Sequence, residues 1–512
     1  MRVALAVLTT LMLLVHGYHP LAEDGGLYVA GVQRLLHPDL FPHFTAFVTA
    51  HLRYSIFAPA VAELVRATHL PLAWVLLLVY LFGLWLTLYA GLRVLRRCVA
   101  APAAQLAGVA LLAAWGTLPV AGTSLLLLDP YVTARSLSTP LSLLAIAFAL
   151  EPWLSAKSDG ALLASRTARA AASCIVCLLL AAFFHPLMAA YAGTLVLLLR
   201  LVRLPRPGLA CTVFAAASVA VAGVLHALAP PESAAATAAV ISRYYWFLSA
   251  WKGYELCGLA GPLAIFALLL RWRRERLSAA AKALCRACIV AGGTAVLIAL
   301  LFAHQGSASH LVARLQPLRI FLPIYAVMAL LLGATLTERW LDLRNNIPSK
   351  SLLLGAATVL ALNACALFAA QRASFAASPH MELPWIKAAR SNAWTRAFLW
   401  ASDNTPSGAL FALDADYITT PGEDAQTFRA TALRSALPDF SKDGGEASIA
   451  PSLAQLWQQG VAAQTRLSSL PDSQRHARLH PLGVTWMVLH SSAVTLHPCP
   501  YDNGTVKVCE VP

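Results

Sequence analysis

The chain has 512 residues, 59% hydrophobic and only 12% charged, with a formal net charge of +14. Soluble domains carry roughly 25% charged residues, so no soluble fold would cover this much apolar surface. The basic residues lie mostly in short loops between apolar runs rather than in one stripe, which disfavours nucleic acid and makes the lipid bilayer the expected partner.

The first apolar run, residues 3–15, follows Arg2 and has the length of a signal-peptide core, but no A-x-A cleavage pattern precedes His16-Gly17-Tyr18-His19-Pro20. It reads as an uncleaved first span with a cytoplasmic N-terminus. Ten further spans are expected over residues 72–91, 104–123, 139–153, 168–184, 187–201, 209–228, 258–270, 287–303, 320–336 and 352–370. Each approaches the roughly 20 apolar residues that cross a bilayer core. Residues 54–68 contain Pro59, Glu63 and Arg66 and read as an amphipathic helix at the interface rather than a twelfth span.

Loop charge orients this arrangement. The segments that alternation places inside carry nineteen Lys and Arg, including Arg93/Arg96/Arg97, Lys157/Arg166/Arg169 and Arg271/Arg273/Arg274/Arg276, against eight in the outer loops up to the last span. An odd number of spans then leaves the C-terminus outside. The expected fold is mainly α, a polytopic transmembrane helical bundle of about eleven spans over residues 1–375 with a first outer loop at 16–71. A soluble extracytoplasmic α/β domain follows over 376–512, and the expected location is a bacterial inner (plasma) membrane.

In that C-terminal region, Ile386 to Ser402 has helical spacing and Asp403-Asn404-Thr405-Pro406 ends it. Residues 410–413 and 484–489 read as buried strands. Asn503-Gly504 lies between two extended runs, a strong hairpin signal that also accounts for the formal sequon Asn503-Gly504-Thr505. Cys499 and Cys509 flank it, and an oxidising compartment would let them form a structural disulfide. The other eight cysteines lie in or beside apolar segments and read as small hydrophobes. Cys174/Cys177 and Cys285/Cys288 have CxxC spacing but no further metal ligand nearby.

Outer-face charges need a reason beyond topology. Glu23 and Asp24 adjoin in the first outer loop, where carboxylates can bind a divalent cation, act as a general base, or simply cap the helix that follows. Other candidates are Arg135 in Asp129-Pro130-Tyr131-Val132-Thr133-Ala134-Arg135, and His185 before Pro186. A third group comprises Arg243, Tyr245 and Lys252 in one loop and His310 and Arg319 in another. Cations at an interface suit an anionic headgroup or phosphate, and aromatic neighbours can stack on sugar or isoprenoid. The plainer readings are an interfacial aromatic belt, a polar turn at His185, and pairing of Arg135 or Arg319 with Asp129 or Glu255. Arg429 and Arg434 read as solvated or locally paired.

The uncleaved first span, the acidic pair and interfacial helix in the first outer loop, and the many spans with an outer tail together resemble the GT-C superfamily. These are polytopic glycosyltransferases that use lipid-phosphate-linked sugars. The strings His19-Pro20-Leu21-Ala22-Glu23-Asp24-Gly25-Gly26-Leu27-Tyr28, Asp129 to Arg135 and Leu315-Gln316-Pro317-Leu318-Arg319 look like a bacterial branch of GT-C-like membrane proteins.

The resemblance implies that Asp24, with Glu23 beside it, serves as base or metal ligand, with Mg or Mn as a possible cofactor. It further implies a polyprenyl-phosphate-linked sugar as donor and an envelope acceptor. Two departures stand out: the pair is a bare Glu-Asp rather than Asp-x-Asp, and no WWDYG-like string occurs in the tail, which disfavours oligosaccharyltransferase activity. The competing expectations are a transporter or flippase for a lipid-linked or anionic solute, and a noncatalytic scaffold presenting the tail. The former would need polar groups deep in spans and inverted repeats, and Gln105, His226 and Asn363 are few and scattered.

Overall fold

The computed structural model describes residues 1–151, 160–272, 275–343, 349–385, 392–414 and 424–511. Lys157, Arg273, Arg274, Arg344 and Ile386 lie outside the described residues. All eleven apolar runs are helical over most of their length, but not all are long enough to cross a bilayer as drawn. Among the described residues, six helices have the length and composition to span: Leu72–Cys98, Ser165–Phe184, Pro207–Leu228, Gly253–Trp272, Ala279–Phe302 and Leu311–Arg339, the last including a short break. Four others are shorter apolar helices, Arg2–His16, Pro102–Ala114, Ala134–Ala149 and Pro186–Leu201.

The expected span at 104–123 shows why. Its helix stops at Ala114, and residues 115–133 fold instead into turns that carry Asp129. The expected interfacial segment is the Phe57–Thr68 helix, which buries Phe57, Ala58, Val61 and Ala62 on one face and leaves Glu63 and Arg66 exposed. This is a membrane protein by the run of long apolar helices; in the Pro207–Leu228 helix only Ala222 is fully buried, and exposed Leu209, Val213, Val221 and Val224 are left for lipid.

The C-terminal region is a mixed α/β unit built on a five-stranded sheet of order β2-β1-β3-β5-β4, with β1 Leu410–Leu413, β2 Ser435–Ala436, β3 Trp486–His490, β4 Tyr501–Asp502 and β5 Val506–Glu510. Strand β1 is parallel to β2 and β3, whereas β3, β5 and β4 run antiparallel. The β4–β5 hairpin turns at Asn503-Gly504 with Gly504 at φ 82°, a conformation open to glycine. Cys499 is disulfide-bonded to Cys509. The helix Ala393–Asn404 packs Trp394, Ala397, Phe398 and Ala401 against this sheet with Phe411 and Phe428.

The tail does not hang free. The Ala425–Ala432 helix lies across the Asp24–Leu36 helix, where Thr427 donates to the Leu21 carbonyl at 3.0 Å and Gln33 donates to the Ala430 carbonyl at 2.8 Å. Gly26 permits this approach, since a Cβ there would sit 3.0 Å from the Thr427 nitrogen, while a Cβ on Gly25 would meet the Pro20 carbonyl oxygen of its own loop at 2.5 Å. Arg429, far from solvated, is fully buried and pairs with Asp443 through two hydrogen bonds of 2.9 and 3.0 Å. Arg434 is also buried and donates to the Ser402 and Thr405 carbonyls.

Candidate functional site

Three carboxylates and two cations form a continuous chain where the first outer loop, the 115–133 turns and the tail meet. Asp24 is the first residue of its helix, yet its side chain does not cap it. Its Oδ2 accepts from Arg135 Nη2 at 3.0 Å and its Oδ1 from Lys442 Nζ at 3.3 Å. Lys442 also donates to Glu23 Oε2 at 2.5 Å, and Arg135 reaches Asp129 Oδ2 through both Nη2 at 3.0 Å and Nε at 3.2 Å.

Local sequence explains how these groups are held. Arg135 is the second residue of the Ala134–Ala149 helix, whose N-terminus is closed by a capping box between Thr133 and Ser136. The His19 backbone amide donates to the Pro130 carbonyl at 2.8 Å and ties the acidic loop to the Asp129 loop. Glu23 sits at φ 52°, ψ −131°, a region that costs a non-glycine residue on the order of 1–3 kcal/mol. That backbone turns the Glu23 side chain toward Lys442 while the next residue starts the helix.

The electrostatics follow from burial opposed by counter-charge. Burial alone would raise Asp24, but Lys442, Arg135 and Arg319 together hold its carboxyl well below the usual range. Glu23 and Asp129 are raised, because burial outweighs Lys442 in the one case and Arg135 in the other. Lys442 resists the pull of burial and is raised by Glu23 and Asp24. Asp24 is therefore the firmly ionised member.

Arg319 is different. It sits in a short 3-10 turn, Pro317–Ile320, that begins after Gln316 in a left-handed conformation, with the Tyr191 hydroxyl donating to the Leu315 and Gln316 carbonyls at 2.8 Å. Its guanidinium stacks over the Tyr245 ring at 5.7 Å, and its buried Nε has no hydrogen-bond partner among the described residues. His185 Nδ1 is likewise buried without a partner, and burial together with Arg135 and Arg319 pushes this imidazole down to about 3, so it is neutral. Asp24 acts electrostatically on both Arg319 and His185.

The other sequence candidates are engaged within the chain or exposed. Arg243 donates to the Phe440 and Ser441 carbonyls at 2.7 and 2.5 Å. His310 pairs with Glu232 at 3.0 Å, and Glu232 also takes Arg314 at 2.6 Å. Lys252 is exposed, and Glu255 accepts from its backbone amide rather than from Arg319 or Arg135. Sequence reasoning missed Lys442 and Glu446, which lie 418 and more residues from Asp24. Their four-residue spacing puts them on one helix face, the signal that was there to find.

A small cavity of about 20 Å³, room for about one water, reaches Asp129 and Arg135 between Tyr80, Thr87, Thr139 and Leu322. A larger apolar cleft of about 550 Å³ runs between the Gly253–Trp272 and Ala279–Phe302 helices. Leu248, Leu256, Leu263, Val296 and Leu300 line it. A divalent cation fits the acidic pair poorly. Glu23 Oε2 and both Asp24 oxygens are already engaged by Lys442 and Arg135. Among the described residues no group of three or more His, Cys, Asp or Glu is placed to hold a metal ion.

No protein-family model and no curated protein sequence matches the chain. Two crystal structures of the Archaeoglobus fulgidus oligosaccharyltransferase resemble it in fold. One is a complex with Zn and sulfate, the other is tethered through a disulfide bond to an acceptor peptide containing the NVT sequon. They are 13% and 11% identical to this chain, each covers 95% of it and 68% of the neighbour, and each has a TM-score of 0.48.

Proposed function

We propose that this protein is a GT-C-type membrane glycosyltransferase that moves a sugar from a polyprenyl-phosphate donor to an extracytoplasmic acceptor. The observation that carries the reading is Arg319, a buried cation stacked over Tyr245 whose Nε has no hydrogen-bond partner among the described residues, within the electrostatic reach of Asp24 as is a neutral His185. An interior guanidinium without a carboxylate calls for an anion from outside the chain, and phosphate suits its planar donors. The apolar cleft between the Gly253–Trp272 and Ala279–Phe302 helices would take the isoprenoid, and the tail would close over the site and select the acceptor.

In this mechanism the acceptor hydroxyl attacks the anomeric carbon as the bond to the donor phosphate breaks. Asp24, ionised and fixed by Arg135 and Lys442, orients the hydroxyl and takes its proton late, as the new bond forms. The polyprenyl phosphate leaves with the bonding electron pair, and Arg319 and Arg135 neutralise it. No step passes through a metal.

The test is transfer by the purified full chain in liposomes offered a panel of radiolabelled polyprenyl-phosphate sugars and envelope acceptors. Covalent product that disappears in Arg319→Ala supports the reading. Donor crossing the bilayer without transfer, or full activity of an Asp24→Asn, Glu23→Ala double variant, would overturn it.

A further inference from the structure

The position between Glu23 and Asp24 is where a divalent cation would have to bind, and a residue of the chain already stands there. Lys442 Nζ contacts Glu23 at 2.5 Å and Asp24 at 3.3 Å, and it is largely buried, with its side chain 13% exposed. We propose that Lys442, delivered by the C-terminal region, is the built-in counter-cation of the acidic pair and takes the place of a divalent metal. The proposal rests on the transferase reading for its role in catalysis, but not for the occupancy it asserts.

Three observations carry it. The first is that three of the four oxygens of the acidic pair are already engaged. Mg²⁺ demands near-octahedral oxygen coordination at about 2.1 Å, whereas Asp24 spends one oxygen on Lys442 and the other on Arg135, and Asp129 Oδ2 also goes to Arg135.

The second is charge. Lys442, Arg135 and Arg319 already act together on Asp24, and Glu23, Asp129, Asp424 and Glu446 are the other carboxyls in the same field. A further double positive charge in this buried volume would be repelled by all three cations at once.

The third is that Lys442 cannot easily withdraw. Its helix, Lys442–Ile449, is pinned just before its start by Arg243 on the Phe440 and Ser441 carbonyls, and near its end by Arg314 on the Ser448 carbonyl at 2.6 Å. Between them Asp443 is locked to Arg429 and accepts from the Asp439 amide at 3.1 Å. Gly444 packs so closely that a Cβ there would lie 2.9 Å from Arg243 Nη2.

An ammonium in this position orients both carboxylates and supplies one positive charge. Neutralising a leaving phosphate then falls to Arg319 and Arg135. The tail becomes part of the site rather than a cover over it.

Mn²⁺ itself is the probe. Electron paramagnetic resonance of Mn²⁺ titrated into the full chain in detergent micelles reports bound ion as loss of the free six-line signal. Wild type is expected to leave the signal unchanged from the Glu23→Gln, Asp24→Asn control. Lys442→Ala is expected to take up about one ion per chain, and Lys442→Ala, Glu23→Gln to lose that uptake. Uptake by wild type that depends on Glu23 and Asp24 would overturn the proposal, and so would a folded Lys442→Ala that binds no more than wild type.

The wild-type comparison needs no Lys442 variant, and Lys442→Arg, which keeps the charge, checks folding by its melting temperature. Because ion binding is read directly, a negative transferase assay leaves this result standing and identifies the failure as that of the transferase reading.

Discussion

The Arg243 guanidinium donates to the carbonyl of Ser441, the residue immediately before Lys442, across 198 positions of sequence. A cation from the loop after the Ala234–Ile241 helix thereby sets the position of a cation from the tail. Its side chain also lies over the Phe440 ring at 5.5 Å. Replacing Arg243 with Ala removes two charge-assisted hydrogen bonds, each worth about 1.5–3 kcal/mol. Hydrogen exchange over residues 437–449 should rise markedly while exchange in the Leu72–Cys98 helix stays the same. Equal protection in both proteins would show that Arg243 does not hold the tail.

Arg319 should affect donor binding more than stability. Its side chain gives up no hydrogen bond when shortened, so Arg319→Gln should leave the melting temperature nearly unchanged. It should raise the donor KM by about 10–100-fold, the equivalent of one lost charge-assisted bond. Arg319→Lys, which keeps charge without the planar fork, should fall between. A fall in melting temperature with unchanged KM would make Arg319 a structural residue.

Glu446 predicts a pH dependence. It lies one helical turn beyond Lys442, and its carboxyl is pushed up to about 8, first by burial and then by Asp443 and Asp24. A folded value above the ordinary glutamate value of 4.5 means the folded chain keeps a proton that the unfolded chain releases. The stability it contributes is complete below about pH 4.5 and is lost as pH rises through 8. Asp443, raised to about 6, acts in the same direction. The melting temperature of wild type should fall between pH 5 and 8.5, and Glu446→Gln should flatten that fall. Parallel curves would remove Glu446 as its cause.

The fully buried Arg429–Asp443 pair offers a test of the tail alone. Asp443→Asn leaves the guanidinium without its counter-charge and should destabilise the tail by about 3–5 kcal/mol. Arg429→Met combined with Asp443→Leu should cost less, since neither partner is then stranded. Tryptophan fluorescence during denaturation reports both, because Trp394 and Trp457 are buried in the tail.

Helices and hairpin were legible in the sequence because hydrophobic runs and the Asn503-Gly504 dipeptide act locally. Span length was less so: the apolar run at 104–123 gives no sign that its second half would leave the helix to build the Asp129 loop. The acidic half of the site was readable from Glu23-Asp24, and Asp129 was readable as a partner of Arg135, since the two are six residues apart. Lys442 was not, because in sequence it is one basic residue beside Asp443 in a polar stretch. His310 and Arg243 carried the same interfacial signal as Arg319, and only tertiary contacts separate the two already committed to partners from the one that is not.

The separation of 418 positions between Asp24 and Lys442 also orders events in the life of the chain. Glu23 and Asp24 are made well before Lys442, so the carboxylates remain hydrated until the tail follows them. Contacts that close so long a loop form late. Synthesis halted before the tail leaves an acidic pocket open to water and to any passing cation. Arrival of the Lys442–Ile449 helix is then the step that turns a folded helical bundle into a finished site.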